Sequence, residues 1–100
     1  RALRFARGDE TPLPGFEENE YAPAGEFGAR TLVDLADELR AVRAATVTLF
    51  AGLPAQAWER SGIANDRRLT VAILAWGIAG HELHHRHLLE TRYLSPAPLE

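Results

Sequence analysis

Residues 69–87 read Leu-Thr-Val-Ala-Ile-Leu-Ala-Trp-Gly-Ile-Ala-Gly-His-Glu-Leu-His-His-Arg-His, and the architecture turns on this stretch. Thr70 is of a type that caps helices. The residues after it are apolar on nearly every side of a helix, as in a buried bundle helix. The spacing predicts a helix from Thr70 to about Leu94, ended by Ser95-Pro96, because the residue before a proline disfavours the helical region. All four histidines of the chain lie in its second half. At about 100° per residue, His81 and His85 are ~40° apart. Leu74, Ile78 and Leu88 share their face and His84 flanks it, so the histidines are expected to continue a core-facing stripe. His87 points away, near the side of Trp76 and Leu94.

Working back from this helix, Ser61 to Arg68 reads as a turn region. Leu53-Pro54 begins a short helix carrying Trp58, with Pro54 suited to the first turn. Leu32, Leu35, Ala36, Leu39, Val42, Thr46, Leu49 and Phe50 form a stripe at helical spacing. Thr31 followed by Asp34 resembles a capping box, and Gly52 is a natural stop, so residues 31–52 are expected to be helical. From Asp9 to Gly28 the chain holds Pro12, Pro14, Pro23, Gly15 and Gly25, with six carboxylates and no arginine. This predicts a long crossover loop over residues 8–30. Arg1 to Arg7 reads as the end of a helix, stopped by Gly8.

These elements leave too little partner surface for so apolar a last helix. The expectation is an all-α four-helix bundle whose remaining helices lie upstream of Arg1 or in another chain. No strand alternation, internal repeat or low-complexity tract is evident.

The 100 residues are 46% hydrophobic with 25% charged, the composition of one globular domain. A formal charge of −3, with the arginines scattered, gives no nucleic-acid surface. The absence of cysteine excludes disulfides, zinc-thiolate clusters and a thiol nucleophile of the chain's own. The run from Val71 to Gly80 is about half a membrane span, and there is no signal-peptide pattern, so cytoplasmic residence is the default expectation. Arginine supplies every basic residue and methionine is absent, a composition suggesting a GC-rich bacterial genome and a chain that starts inside a longer protein.

The histidine cluster carries the chemistry. Side chains four apart on a helix stand about 5–6 Å apart at Cβ, so His81 and His85 can share one metal ion. A third ligand has no obvious source in this chain. The alternative is that the histidines are polar residues at the wet end of a bundle, satisfied by Glu82, Glu90 or carbonyls. His81-Glu82-Leu83-His84-His85 also fits the His-Glu-x-x-His pattern of zinc peptidases, with Glu82 as general base. No suitably placed third ligand follows it, Glu90 and Glu100 being poorly placed, and the peptidase reading is disfavoured.

The string from Leu69 to His85 resembles the last-helix signature of the DinB/YfiT-like superfamily. Arg1-Ala-Leu-Arg-Phe-Ala-Arg-Gly-Asp with Pro12-Leu-Pro-Gly-Phe resembles the end of that family's second helix and its crossover. Leu53-Pro54 and Ala57-Trp58 resemble the stretch before its last helix. The resemblance implies an up-down-down-up four-helix bundle, often a homodimer, here lacking the first helix and most of the second. Residues 1–7 would end helix 2, 8–30 form the crossover, 31–52 helix 3 and 70–94 helix 4. It also implies a nickel or zinc ion held by three histidines, two of which match His81 and His85. The third, on the second helix, is absent from this chain.

Relatives include transferases acting on low-molecular-weight thiols. The resemblance therefore implies a metal-dependent thiol-transferase-like or hydrolase-like enzyme with a small-molecule substrate. In that reading His84 either supports the metal ligands from beside them or carries a proton, and Glu82 or Arg86 touches substrate. The competing expectation is a non-catalytic stress-response or dimerisation bundle. Residues 9–26 lack EF-hand spacing and read as a solvated crossover. Trp58 and Trp76 read as core or dimer contacts, and Arg67 and Arg68 as turn surface.

Overall fold

The computed structural model describes residues 1–94. In chain order it comprises α1 (Ala2–Ala6), α2 (Glu18–Ala24), α3 (Leu32–Ala51), β1 (Ser61–Ala64), β2 (Arg67–Thr70) and α4 (Val71–Leu88). Single 3-10 turns occupy Phe27–Ala29 and Ala55–Glu59, and a π turn, Leu89–Tyr93, extends α4. Ser95 and Pro96, expected to stop the last helix, lie outside the described residues, as does Glu100.

Both long helices begin on a threonine cap. The Thr31 hydroxyl accepts from the Asp34 backbone N–H at 3.1 Å, and the Thr70 hydroxyl from the Ile73 N–H at 3.1 Å. Each satisfies one of the N–H groups that a helix start leaves open. Asp34 also accepts from Arg30 Nε at 2.6 Å, and Glu38 from Arg30 Nη1 at 2.9 Å, tying the chain before α3 to its first two turns.

Two elements depart from expectation. The stretch expected to be a turn is a β-hairpin, with Ser61 opposite Thr70 and Ala64 opposite Arg67. Asn65 and Asp66 turn it with φ of 50° and 63°, the pair of positive values that a two-residue type I′ turn requires. Its buried face is made of Gly62 and Ala64, too small to produce the alternation by which a strand is recognised. The crossover, in turn, contains α2. The Glu17 carboxylate caps it by accepting from the Asn19 N–H at 3.1 Å, and Glu18 and Glu20 in its first turn complement the positive end of the helix dipole. Pro23 sits inside this short helix, so it and the acids at 17, 18 and 20, which signal a loop in the sequence, belong to a helix and its cap.

The core is small and lies at one end. Phe5, Ala6, Ala57, Ala64 and Val71 are buried, with Leu13, Phe50, Leu53, Trp58, Leu69 and Leu74 packed around them. Trp58 lies against Phe50 at 5.4 Å between ring centroids. Gly62 is there by necessity: a Cβ on it would stand within 2.8 Å of three atoms of the Phe5 ring. Leu13 joins the hairpin as a one-residue third strand, donating to the Ile63 carbonyl at 2.9 Å and accepting from the Asn65 N–H at 3.0 Å.

From this end α3 and α4 project with little contact. The expected burial of the α4 stripe is not what the structure shows: only Val71 of α4 and no residue of α3 is buried, and all four histidines are exposed. The Cα radius of gyration is 16.9 Å, against about 13 Å for a compact 100-residue domain. The reason is that α1 is only five residues long and α2 approaches α4 only at the cavity beside His81 and His85, so little of the described chain covers the distal halves of α3 and α4. No helix of the described residues is long and apolar enough to cross a membrane.

Candidate metal centre

His81 and His85 lie in the third and fourth turns of α4, whose phase is set by the Thr70 cap. Their Nε2 atoms are 3.0 Å apart, and the rings meet edge to face at 74° with centroids 4.4 Å apart. At this distance an Nε2–H of one ring can donate to the lone pair of the other ring's Nε2, the tautomers deciding which ring donates. The separation is close to that of two nitrogens bound to one ion at 2.0–2.1 Å. The pair thus fits a divalent ion in donor chemistry and spacing. Among the described residues no third His, Cys, Asp or Glu joins it in an arrangement able to hold a metal.

A cavity of about 600 Å³ opens over the pair, lined by Arg1, Gly15, Phe16, Glu18, Asn65, His81 and His85. Four separate segments build it. The Leu13 bridge to β1 brings the proline-rich loop to the hairpin tip, placing Gly15 against Asn65, where a Cβ would come within 2.9 Å of the Asn65 side-chain Cγ. Phe16 stacks on Tyr21 at 4.8 Å and 15°, tying the same loop to α2. A second, mostly apolar cavity of about 640 Å³ between α1, α3 and α4 shares Arg1 and His81 with the first.

The other sequence candidates are not all brought together. His84 flanks the pair, its ring 5.8 Å from that of His85 at 65°. Glu82 is turned towards α3, accepting from Arg43 Nη2 at 2.9 Å and Nε at 3.2 Å, and it lines cavities that contain neither His81 nor His85. Arg86 pairs with Glu90 one turn on, at 3.0 Å, and lies outside the histidine cavity. His87 offers its carbonyl to the Thr91 hydroxyl at 2.8 Å. Arg68 reaches across the hairpin to the Ser61 hydroxyl at 3.2 Å, and Trp76 is 82% exposed. Sequence reasoning does not find Arg1, Gly15, Phe16, Glu18 or Asn65 as site residues. Only the Asn65-Asp66 pair, a turn dipeptide, carries a local signal of its placement.

A family model described as the DinB superfamily matches residues 1–89. The chain belongs to the DinB superfamily. No curated protein and no solved structure matches it. The DinB match takes in α4 whole, with the histidine pair and every residue lining the cavity above it.

Proposed function

We propose that this DinB chain contributes the last-helix half of a divalent-metal site, nickel or zinc, serving a thiol-transferase-like or hydrolase-like reaction on a small molecule. The observation that carries the reading is the His81–His85 pair, two imidazole nitrogens 3.0 Å apart and facing a common cavity. A bound ion of this kind lowers the pKa of a thiol or a water, making a nucleophile available at neutral pH. His81 and His85 would be its ligands. His84, whose ring lies beside that of His85, would accept or return a proton. Glu82, engaged by Arg43, holds α4 in its rotation against α3. Arg86 lies one residue beyond the pair, where it can meet an anionic group outside the cavity.

The third ligand would come from a helical turn preceding Arg1 or from another copy in a homodimer. Zinc titration with detection of histidine side-chain nitrogens tests the reading. The expected result is a large Nε2 shift confined to His81 and His85; small shifts spread equally over His81, His84, His85 and His87 would refute it.

One observation favours a second reading, a non-catalytic bundle acting in stress response or dimerisation. The absence of a third donor among the described residues, with the pair exposed, suits histidines that satisfy one another without metal.

A further inference from the structure

The cavity over the histidine pair has walls of opposite charge that do not neutralise each other. Arg1 enters from α1 and Glu18 from the first turn of α2, and among the described residues neither makes an ion pair or side-chain hydrogen bond. The Asn65 amide, held over Gly15 at the hairpin tip, is likewise without a side-chain hydrogen-bond partner there. An amide both donates and accepts. Phe16 adds one aromatic ring, one face of which is stacked on Tyr21.

We infer that this cavity binds a small zwitterion, a molecule carrying a carboxylate and an ammonium group close together, as in an α-amino acid. Arg1 takes the carboxylate as a planar, permanently charged donor. Glu18 takes the ammonium, and Phe16, lining the same cavity, can take the cation on the face that Tyr21 does not cover. Asn65 completes the polar wall. A simple anion would meet Glu18 and a simple cation would meet Arg1, so only a ligand with both charges finds each wall complementary. About 600 Å³ accommodates an amino acid bearing a side chain directed at His81 and His85. The inference rests on the function proposed above for what happens to the ligand, the histidine pair being the reactive end, and on Arg1, Glu18 and Asn65 for where the ligand binds.

The test is amide NMR of the chain titrated with L-alanine, propionate and ethylamine, first in EDTA and then with zinc. The expected result is that L-alanine moves the Gly15, Phe16 and Asn65 amides at a concentration at least tenfold lower than either half-ligand. Glu18→Gln should bring L-alanine down to the affinity of propionate, and Arg1→Gln to that of ethylamine. Equal affinities for all three probes, or shifts absent from Gly15 and Asn65, overturn the proposal. L-Alanine preference without a zinc response at His81 and His85 upholds the binding site and defeats the metal reading. A zinc response without that preference does the reverse.

Discussion

Replacing Gly62 by alanine tests whether the small core at the hairpin is packed as described. The added Cβ would stand within 2.8 Å of three atoms of the Phe5 ring, whereas carbon atoms in contact sit about 3.5–4.0 Å apart. The ring has nowhere to retreat, because Phe5 is wholly buried with Ala57, Ala64 and Val71 in the same cluster. Overpacking of this kind costs about 1–3 kcal/mol. For a domain of this size each kcal/mol lowers the melting temperature by roughly 4–8 °C. Urea denaturation followed by far-ultraviolet circular dichroism measures the loss as a fall in midpoint at constant slope. Phe5→Leu frees space beside residue 62, so the two sites are coupled: Gly62→Ala should cost at least about 1 kcal/mol less in the Phe5→Leu background. A neutral Gly62→Ala, or the same cost in both backgrounds, would refute the described contact between α1 and β1.

Other consequences are open to direct measurement. Gly80 lies mid-helix, and a Cβ there would meet nothing within 4 Å, so Gly80→Ala should raise stability by about 1 kcal/mol; destabilisation in thermal melts would reveal a backbone packed against that face. Arg43→Leu removes the α3–α4 ion pair, whose side chains are 33% and 49% exposed, and should cost no more than about 1 kcal/mol in urea. The Asp34 carboxyl is held below its ordinary value of 3.8, chiefly by its hydrogen bond from Arg30. The unfolded chain then binds more protons in acid, so this contribution is present above about pH 4 and disappears as pH falls through the folded-state value. Asp34→Asn should flatten the acid limb of the stability curve, and an unchanged limb would contradict the pairing.

The helical fold is legible in the sequence because its signals are local. Thr31 with Asp34 marks the start of α3, Thr70 the start of α4, and the apolar residues between Val71 and Gly80 announce a helix that needs partners. The histidine pair is legible for the same reason, since a spacing of four on a helix determines which side chains meet. What escapes depends on contacts distant in sequence. The hairpin hides because Gly62 and Ala64, its inward residues, are shaped by the Phe5 ring rather than by strand propensity. α2 hides behind Pro23 and a run of acids that serve its N-terminus.

The cavity walls are hidden for a related reason. Gly15, Phe16 and Glu18 reach His81 and His85 only because Leu13 pairs with β1, about fifty residues away in the chain. The partner of Glu82 is Arg43 on another helix, and no local pattern announces it. The exposure of the histidines follows from the open arrangement of α3 and α4, which helical periodicity does not encode: it tells which residues share a face, not what covers that face.

The measurement that bears most directly on the metal reading is the stoichiometry of nickel and zinc after equilibrium dialysis, determined by elemental analysis for the parent chain and for each single histidine-to-alanine variant. One ion per chain is expected, lost in His81→Ala and His85→Ala and kept in His84→Ala and His87→Ala. Retention of the ion in His81→Ala and His85→Ala, or no ion in the parent chain, would contradict the metal site.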